Sequence, residues 1–283
     1  MVKPTGESTI LTTLSAYLVH LGSSYAPKTV KTYAGDVQDL ALFLRGRELE
    51  DITLGDLQDW RARLVAGRSR PVGEKTMTRK LSAVINYFGW LRSTGAIQKD
   101  PSASLMNGRV QSPLPGYLYD SQVEQLYQVA SGDPRTYLLV LLFIETGMKS
   151  SELYRLTRAD VDTSDPYNPE LWIRHVGKAT RKDRKVTLPA RFVGVCEAYL
   201  EQYTVTDVLF PFTDRFGRLL FTQLKERSGI QRDLTPKTLR HTHVVRAYRR
   251  GDDLDAVFDR IGLAQGSREE ARELYSRLAS KGM

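Results

Sequence analysis

Four stretches of this chain carry the residue types that phosphate chemistry needs. ETGMKSSELYRLTRADVD, Glu145 to Asp162, brings Lys149 close to Glu152. LWIRHVGKATRKDRKVTLP, Leu171 to Pro189, sets Lys178, Arg181, Lys182, Arg184 and Lys185 about a polar turn. TPKTLRHTHVV, Thr235 to Val245, supplies Lys237, Arg240 and His241, and Tyr275 follows in a charged helical tail. Exchanging a phosphodiester without a metal needs a nucleophile in line with the scissile bond and positive charge on the non-bridging oxygens. It also needs an acid for the leaving 5′ oxygen. No acidic metal-binding cluster stands out, and no cofactor is expected. The chemistry within reach is a metal-free arrangement of Arg, Lys and Tyr.

Those stations need elements to carry them. At 283 residues the length suggests two domains, and 41% hydrophobic content suits real cores. The net charge of +8 favours a polyanionic partner through counterion release. Cys196 is the only cysteine, which excludes an internal disulfide and a cysteine-based zinc site. Its apolar helical neighbours make it a small buried hydrophobe. The polar N-terminus lacks a signal peptide, and the apolar run Tyr137 to Ile144 is far too short to span a membrane. The expectation is a cytoplasmic, nucleoid-associated protein with no membrane partner.

Residues 8 to about 95 predict four helices. Apolar spacing from Ile10 to Leu21 gives one, stopped by Gly22-Ser23-Ser24; Pro27 opens the second and Thr53 caps the third. The fourth runs through Met77, Leu81, Val84, Phe88 and Leu91, after a basic loop with Arg68 and Arg70. Prolines and glycines between Asp100 and Gly116 have linker composition. The expected division is 1–100, a linker at 101–116, and 117–283. Beyond the linker a capping box at Ser121 starts a helix, and Pro134 starts another that Gly147 closes. Alternation over Leu171–Val176 and Lys185–Leu188 predicts a hairpin, and helices fill most of 190–278. The fold class is mainly α with a small β-sheet, a helical N-terminal domain followed by an α+β domain.

The order of these stations resembles the tyrosine recombinases, the phage integrase family, over nearly the whole chain. TGMKSSEL matches a box whose usual TGxR arginine is replaced here by Lys149, with Glu152 in a supporting place. Gly177-Lys178 matches the hairpin lysine that acts as general acid. Lys237, Arg240 and His241 fit the box of a His or Lys, two residues, then Arg-His. Ile261-Gly262-Leu263 stands where a Gly-His or Gly-Trp usually adds a donor, and Tyr275 matches the nucleophile. The resemblance implies a core-binding N-terminal domain and a catalytic domain that clamp a DNA duplex. It also implies a 3′-phosphotyrosyl intermediate and a tetramer on two recombination sites, with accessory DNA-binding proteins as further partners.

Simpler readings compete. Arg240-His241 alone would be a solvated basic face, and Tyr275, one of fourteen tyrosines, could be a half-buried aromatic. The order of the boxes favours function for both. His241 and His243 are two apart, hence on different faces, which argues against a metal site. Lys28, Lys31, Arg68, Arg70, Lys75, Arg79 and Lys80 are candidate DNA contacts in the first domain; Arg181 and Lys182 are candidates in the hairpin. Lysine at 149 offers a mobile point charge where arginine offers a planar fork. Two alternatives therefore stand beside a recombinase: a DNA-binding protein with weakened cleavage, and a type IB topoisomerase-like nicking enzyme.

Overall fold

A computed structural model describes residues 4–66, 71–105, 114–175 and 183–280. The chain divides into two compact units, Met1–Ser112 and Pro113–Met283. In the first, four helices run Ile10–Ser24 (α1), Pro27–Leu44 (α2), Leu54–Ala66 (α3) and Glu74–Ser93 (α4). Local chemistry sets their starts. Thr9 caps α1, Pro27 occupies the first turn of α2, and Thr53 exchanges hydrogen bonds with Asp56 ahead of α3. Tyr17, Trp60, Tyr87 and Phe88 are fully buried between them. Each such aromatic removes enough apolar surface from water to contribute about 2–3 kcal/mol.

Two expectations change here. Helix α1 runs through Gly22-Ser23-Ser24 and ends only where Tyr25 turns extended, its N–H on the Leu21 carbonyl at 2.8 Å. Nothing lies near Gly22, so at the end of a helix the glycine is tolerated rather than disruptive. Lys80 does not face solvent. It is 8% exposed, with Nζ 3.2 Å from Asp36 and 3.0 Å from Asp39, so it neutralises two carboxylates inside the unit. Arg79 pairs with the same Asp36, whereas Lys28, Lys31 and Lys75 are exposed. Arg68 and Arg70 lie outside the described residues. Leu105 packs into this first core, beyond the residue where linker composition begins.

The second unit is built around Pro134–Thr146 (α6), whose residues Leu138 to Ile144 are buried on every side. Packed about it are Asp120–Ala130 (α5), Arg191–Gln202 (α8) and Pro236–Arg249 (α10). Helix α5 starts one residue earlier than the Ser121 pattern implies, because the Gln122 side chain accepts from the Tyr119 N–H at 3.1 Å. Short Ser150–Leu153 (α7) precedes a three-stranded antiparallel sheet: Val161–Asp162 (β1), Glu170–Ile173 (β2) and Arg184–Thr187 (β3). Strand β1, too short to show alternation, was not legible. Leu171 pairs with Val186 and turns inward, while Ile173 pairs with Arg184. Cys196 on α8 is buried, and burial pushes its thiol up to about 11, so it acts as a hydrophobe. After Asp214–Ser228 (α9), a separate cluster joins α10 to Leu254–Arg260 (α11) and Arg268–Ser280 (α12) through Val244, Phe258, Ile261, Tyr275 and Leu278. Among the described residues no helix is long and apolar enough to cross a membrane.

Lys80→Met should destabilise the first unit by about 1–3 kcal/mol, because it removes the cation that Asp36 and Asp39 share while Arg79 still pairs with Asp36. Urea denaturation measures this. Adding Asp39→Asn should recover part of the loss, and exposed Lys75→Met should change stability by no more than about 0.5 kcal/mol.

Candidate active site

Helix α10 carries the densest part of the site, and its start explains why. Thr235 is extended and accepts the Thr238 N–H at 3.1 Å; Pro236 then pre-sets the first turn. Lys237 is thereby left exposed near the positive end of the helix, where a cation gains nothing from the helix dipole. One turn on, Arg240 is half-buried and donates through Nη1 to the Gly147 carbonyl. Gly147 closes α6 at φ +60°; a Cβ there would come within 2.7 Å of Ile261 and 2.8 Å of His243. Only glycine lets that carbonyl turn toward Arg240. Two residues later comes Lys149, half-buried. Arg240 and the Lys149 turn, 91 residues apart in sequence, thus meet across one residue.

The Lys149 turn is itself held by a carboxylate. The Lys149 N–H donates to Glu152 at 2.8 Å, and Arg184 of β3 grips the same carboxylate with Nη1 at 3.0 Å and Nη2 at 2.8 Å. Burial opposes the charge on Glu152, but the Arg184 fork and the Lys149 amide outweigh it and hold the carboxyl below its usual range. Arg184 also donates through Nε to the Arg260 carbonyl at 2.6 Å. Sequence reading left Arg184 as one of several interchangeable hairpin cations. Its inward position on β3, two residues before the buried Val186, was the signal available. Lys178, Arg181 and Lys182 lie outside the described residues. Lys185 pairs with Glu170 on the sheet.

Tyr275 comes to α10 from α12. Its hydroxyl is 2.9 Å from His241 Nδ1, and its ring packs near Phe258. Tyr275 is 4% exposed and His241 7%. Burial raises the phenol above its ordinary value, with Arg240 opposing the rise. Burial, with Lys237 and Arg240 adding to it, pushes His241 down to about 4. The imidazole is therefore neutral at physiological pH. Leu263 packs against the α10–α12 cluster and brings no polar group. His243 spends Nδ1 on the Ile144 carbonyl at 2.8 Å, a structural role. Among the described residues no group of His, Cys, Asp and Glu could hold a metal ion. The arrangement offers a buried phenol hydrogen-bonded to a neutral imidazole, with half-buried Arg240 and exposed Lys237 on the same helix as that imidazole.

A pH prediction follows from the two buried histidines. His243 is also pushed down to about 4, chiefly by burial. Below pH 6.5 the unfolded chain binds protons that the folded chain refuses, so this stability is full above 6.5 and is lost as pH falls toward 4. Each group adds a slope approaching about 1.4 kcal/mol per pH unit in that window. Urea midpoints between pH 7 and pH 4 should fall accordingly, and His241→Gln should flatten the profile by about one proton.

Comparison with known proteins shows what the whole chain is similar to. Residues 116–270 match the phage integrase family, and residues 13–95 match its N-terminal SAM-like domain. Tyr275 lies just beyond the first match. A tyrosine recombinase XerC of Neisseria meningitidis serogroup B is 29% identical over 283 aligned positions, covering 94% of this chain and 90% of the relative. A tyrosine recombinase of Pseudothermotoga lettingae is 25% identical, covering 89% of each. The fold is shared with XerH site-specific recombinase bound to difH substrate, at TM-score 0.75 and 18% identity over 99% of this chain and 97% of that one. It is shared too with a lambda integrase dimer bound to a COC′ core site, at TM-score 0.73 and 16% identity over 93% and 77%. The chain belongs to the phage integrase family, the tyrosine-type site-specific DNA recombinases.

Proposed function

We propose that this recombinase cuts double-stranded DNA with Tyr275 and conserves the bond as a 3′-phosphotyrosyl link. The observation that carries the reading is the 2.9 Å contact between Tyr275 and His241, which ties the chain's last tyrosine to the helix of Lys237 and Arg240. Lys149, Lys237 and Arg240 meet the non-bridging oxygens as charge develops on them. His241, neutral and already at the phenol, receives its proton. Lys178 protonates the 5′ oxygen, and Glu152 keeps the Lys149 turn in place. The freed hydroxyl then attacks the phosphotyrosine of a partner strand, so neither ATP nor a metal is consumed.

At 4% exposure Tyr275 cannot reach a phosphate while α12 lies as described. Attack therefore requires α12 to shift when DNA binds. Duplex contacts extend to the first unit through Lys28, Lys31, Lys75 and Arg79, and include Arg68, Arg70, Arg181 and Lys182, which lie outside the described residues. The two domains, divided near residues 101–116, hold one duplex together, and four protomers join two recombination sites. Accessory DNA-binding proteins and nucleoid association complete this reading.

A second reading has its own support. Lysine at 149 and apolar Leu263 each remove a donor of the usual set, and one lost transition-state donor costs about 3–4 kcal/mol. A DNA-binding protein with weakened cleavage fits those two positions. A type IB topoisomerase-like nicking enzyme would use the same residues without strand transfer.

A nicked suicide duplex separates the two cleaving readings from the binder. Wild type should form a denaturation-resistant adduct and Tyr275→Phe should form none, with duplex affinity changed by less than about twofold because one hydroxyl is removed. An adduct that persists in Tyr275→Phe points to another tyrosine, with Tyr248 next in line. Lys149→Arg should speed cleavage by at least about tenfold and leave affinity nearly unchanged, since a bidentate contact acts mainly in the transition state. Silence from both proteins on the true site favours the binder. Affinity should also fall log-linearly with salt, with a slope reporting several neutralised phosphates, and residues 113–283 alone should bind far more weakly than the whole chain.

A further inference from the structure

We infer that Arg184 is a positioning residue for strand cleavage. From β3 its guanidinium holds the Lys149–Glu152 turn and the Gly262 turn together, and it serves the site without touching DNA. This rests on the reading of Lys149 as a phosphate-binding residue. Three directional bonds carry the assignment. Nη1 and Nη2 grip Glu152 at 3.0 and 2.8 Å, and Nε reaches the Arg260 carbonyl at 2.6 Å. The Glu152 oxygen that takes Nη2 also takes the Lys149 N–H at 2.8 Å. The guanidinium therefore sets the backbone from which the Lys149 side chain departs.

The third element is Gly262. It turns at φ +64°, and a Cβ there would lie 2.8 Å from Arg184 Nη1. Arg184 thus occupies the space beside the turn that carries Leu263, where the family usually presents a donor. One side chain joins β3 to both the Lys149–Glu152 turn and the Gly262 turn.

Two competing roles can be weighed. A direct phosphate contact needs free N–H groups facing solvent, yet the Arg184 side chain is 10% exposed and three of its nitrogens are engaged within the protein. A purely structural core pair would link helices away from the chemistry. This pair instead meets the site at the Lys149 amide and at the carbonyl two residues before Gly262. A lysine at 184 would keep the charge, but a single ammonium cannot span a carboxylate and a carbonyl in fork geometry.

The test uses the full chain and a nicked suicide duplex, its site selected from a random-sequence duplex library by binding to this protein. Arg184→Gln should slow single-turnover adduct formation by at least about a hundredfold while affinity stays within about threefold, because a positioning residue acts on the transition state more than on binding. Arg184→Lys should fall between them. Gly262→Ala, which crowds Nη1 and leaves every charge in place, should slow cleavage in the same direction. Amide exchange at Lys149 should accelerate in Arg184→Gln. Wild-type cleavage in Arg184→Gln overturns the inference. So does a loss of affinity that matches the loss of rate, with the salt slope reduced by about one, which marks a phosphate contact. Should Arg184→Gln unfold, Arg184→Lys and Gly262→Ala decide, and wild-type rates in both overturn the inference. A wild type that forms no adduct counts against the cleavage reading alone; unchanged exchange at Lys149 would still count against Arg184.

Discussion

Charge repulsion is the constraint on which this site depends. Lys149, Arg240 and Arg184, all half-buried, come from three elements of the second unit, and without compensation they would push one another toward solvent. Glu152 is the carboxylate among them. At 11% side-chain exposure it is held ionised by a bidentate guanidinium and a backbone N–H, so it offsets charge where water cannot. Backbone carbonyls complete the compensation. Gly147 accepts from Arg240 and Arg260 accepts from Arg184, both at the ends of helices, where carbonyls lack partners within the helix. Arg240 and Arg184 are thus held in fixed orientations, the pre-organisation that the proposed phosphate chemistry calls for.

Tyr275, the proposed nucleophile, sits in a different environment from the cations. Tyr275 sits in an apolar cluster with Phe258 and Leu278, and burial stabilises its protonated form. His241 beside it is kept neutral by the same burial and by its basic neighbours. A phenol and a neutral imidazole can share a hydrogen bond in a dry environment at little cost, whereas a phenolate there would be expensive. The resting protein therefore stores the phenol as an uncharged, hydrogen-bonded side chain.

The first unit shows the opposite use of charge. Lys80, Asp36 and Asp39 form a buried cluster that fixes α4 against α2, with the Lys80 ammonium near the Trp60 ring. The exposed Lys28, Lys31 and Lys75 have no such duty. Basic residues adjacent in sequence thus divide between internal neutralisation and an outward surface, and the helical phase decides which is which.

Much of this protein was legible because the physics is local. Apolar spacing, Thr53, Pro27, Pro134 and Gly147 set helices and their ends, and box order identified Lys149, Arg240 and Tyr275 as candidates. Strand β1 was not legible, since two residues cannot show alternation, nor was the cap at Tyr119, since a side chain three residues on supplies it. The fate of Lys80 and Arg184 was invisible for a stronger reason. A cation's role depends on where carboxylates and carbonyls distant in sequence arrive, and 41 residues separate Lys80 from Asp39 while 32 separate Arg184 from Glu152. Composition and spacing determined the elements, the family resemblance and the kind of chemistry. Tertiary packing alone decided which cations are buried, which one holds the Lys149 turn, and that Tyr275 rests on His241, because burial and ion pairing are properties of the assembled core.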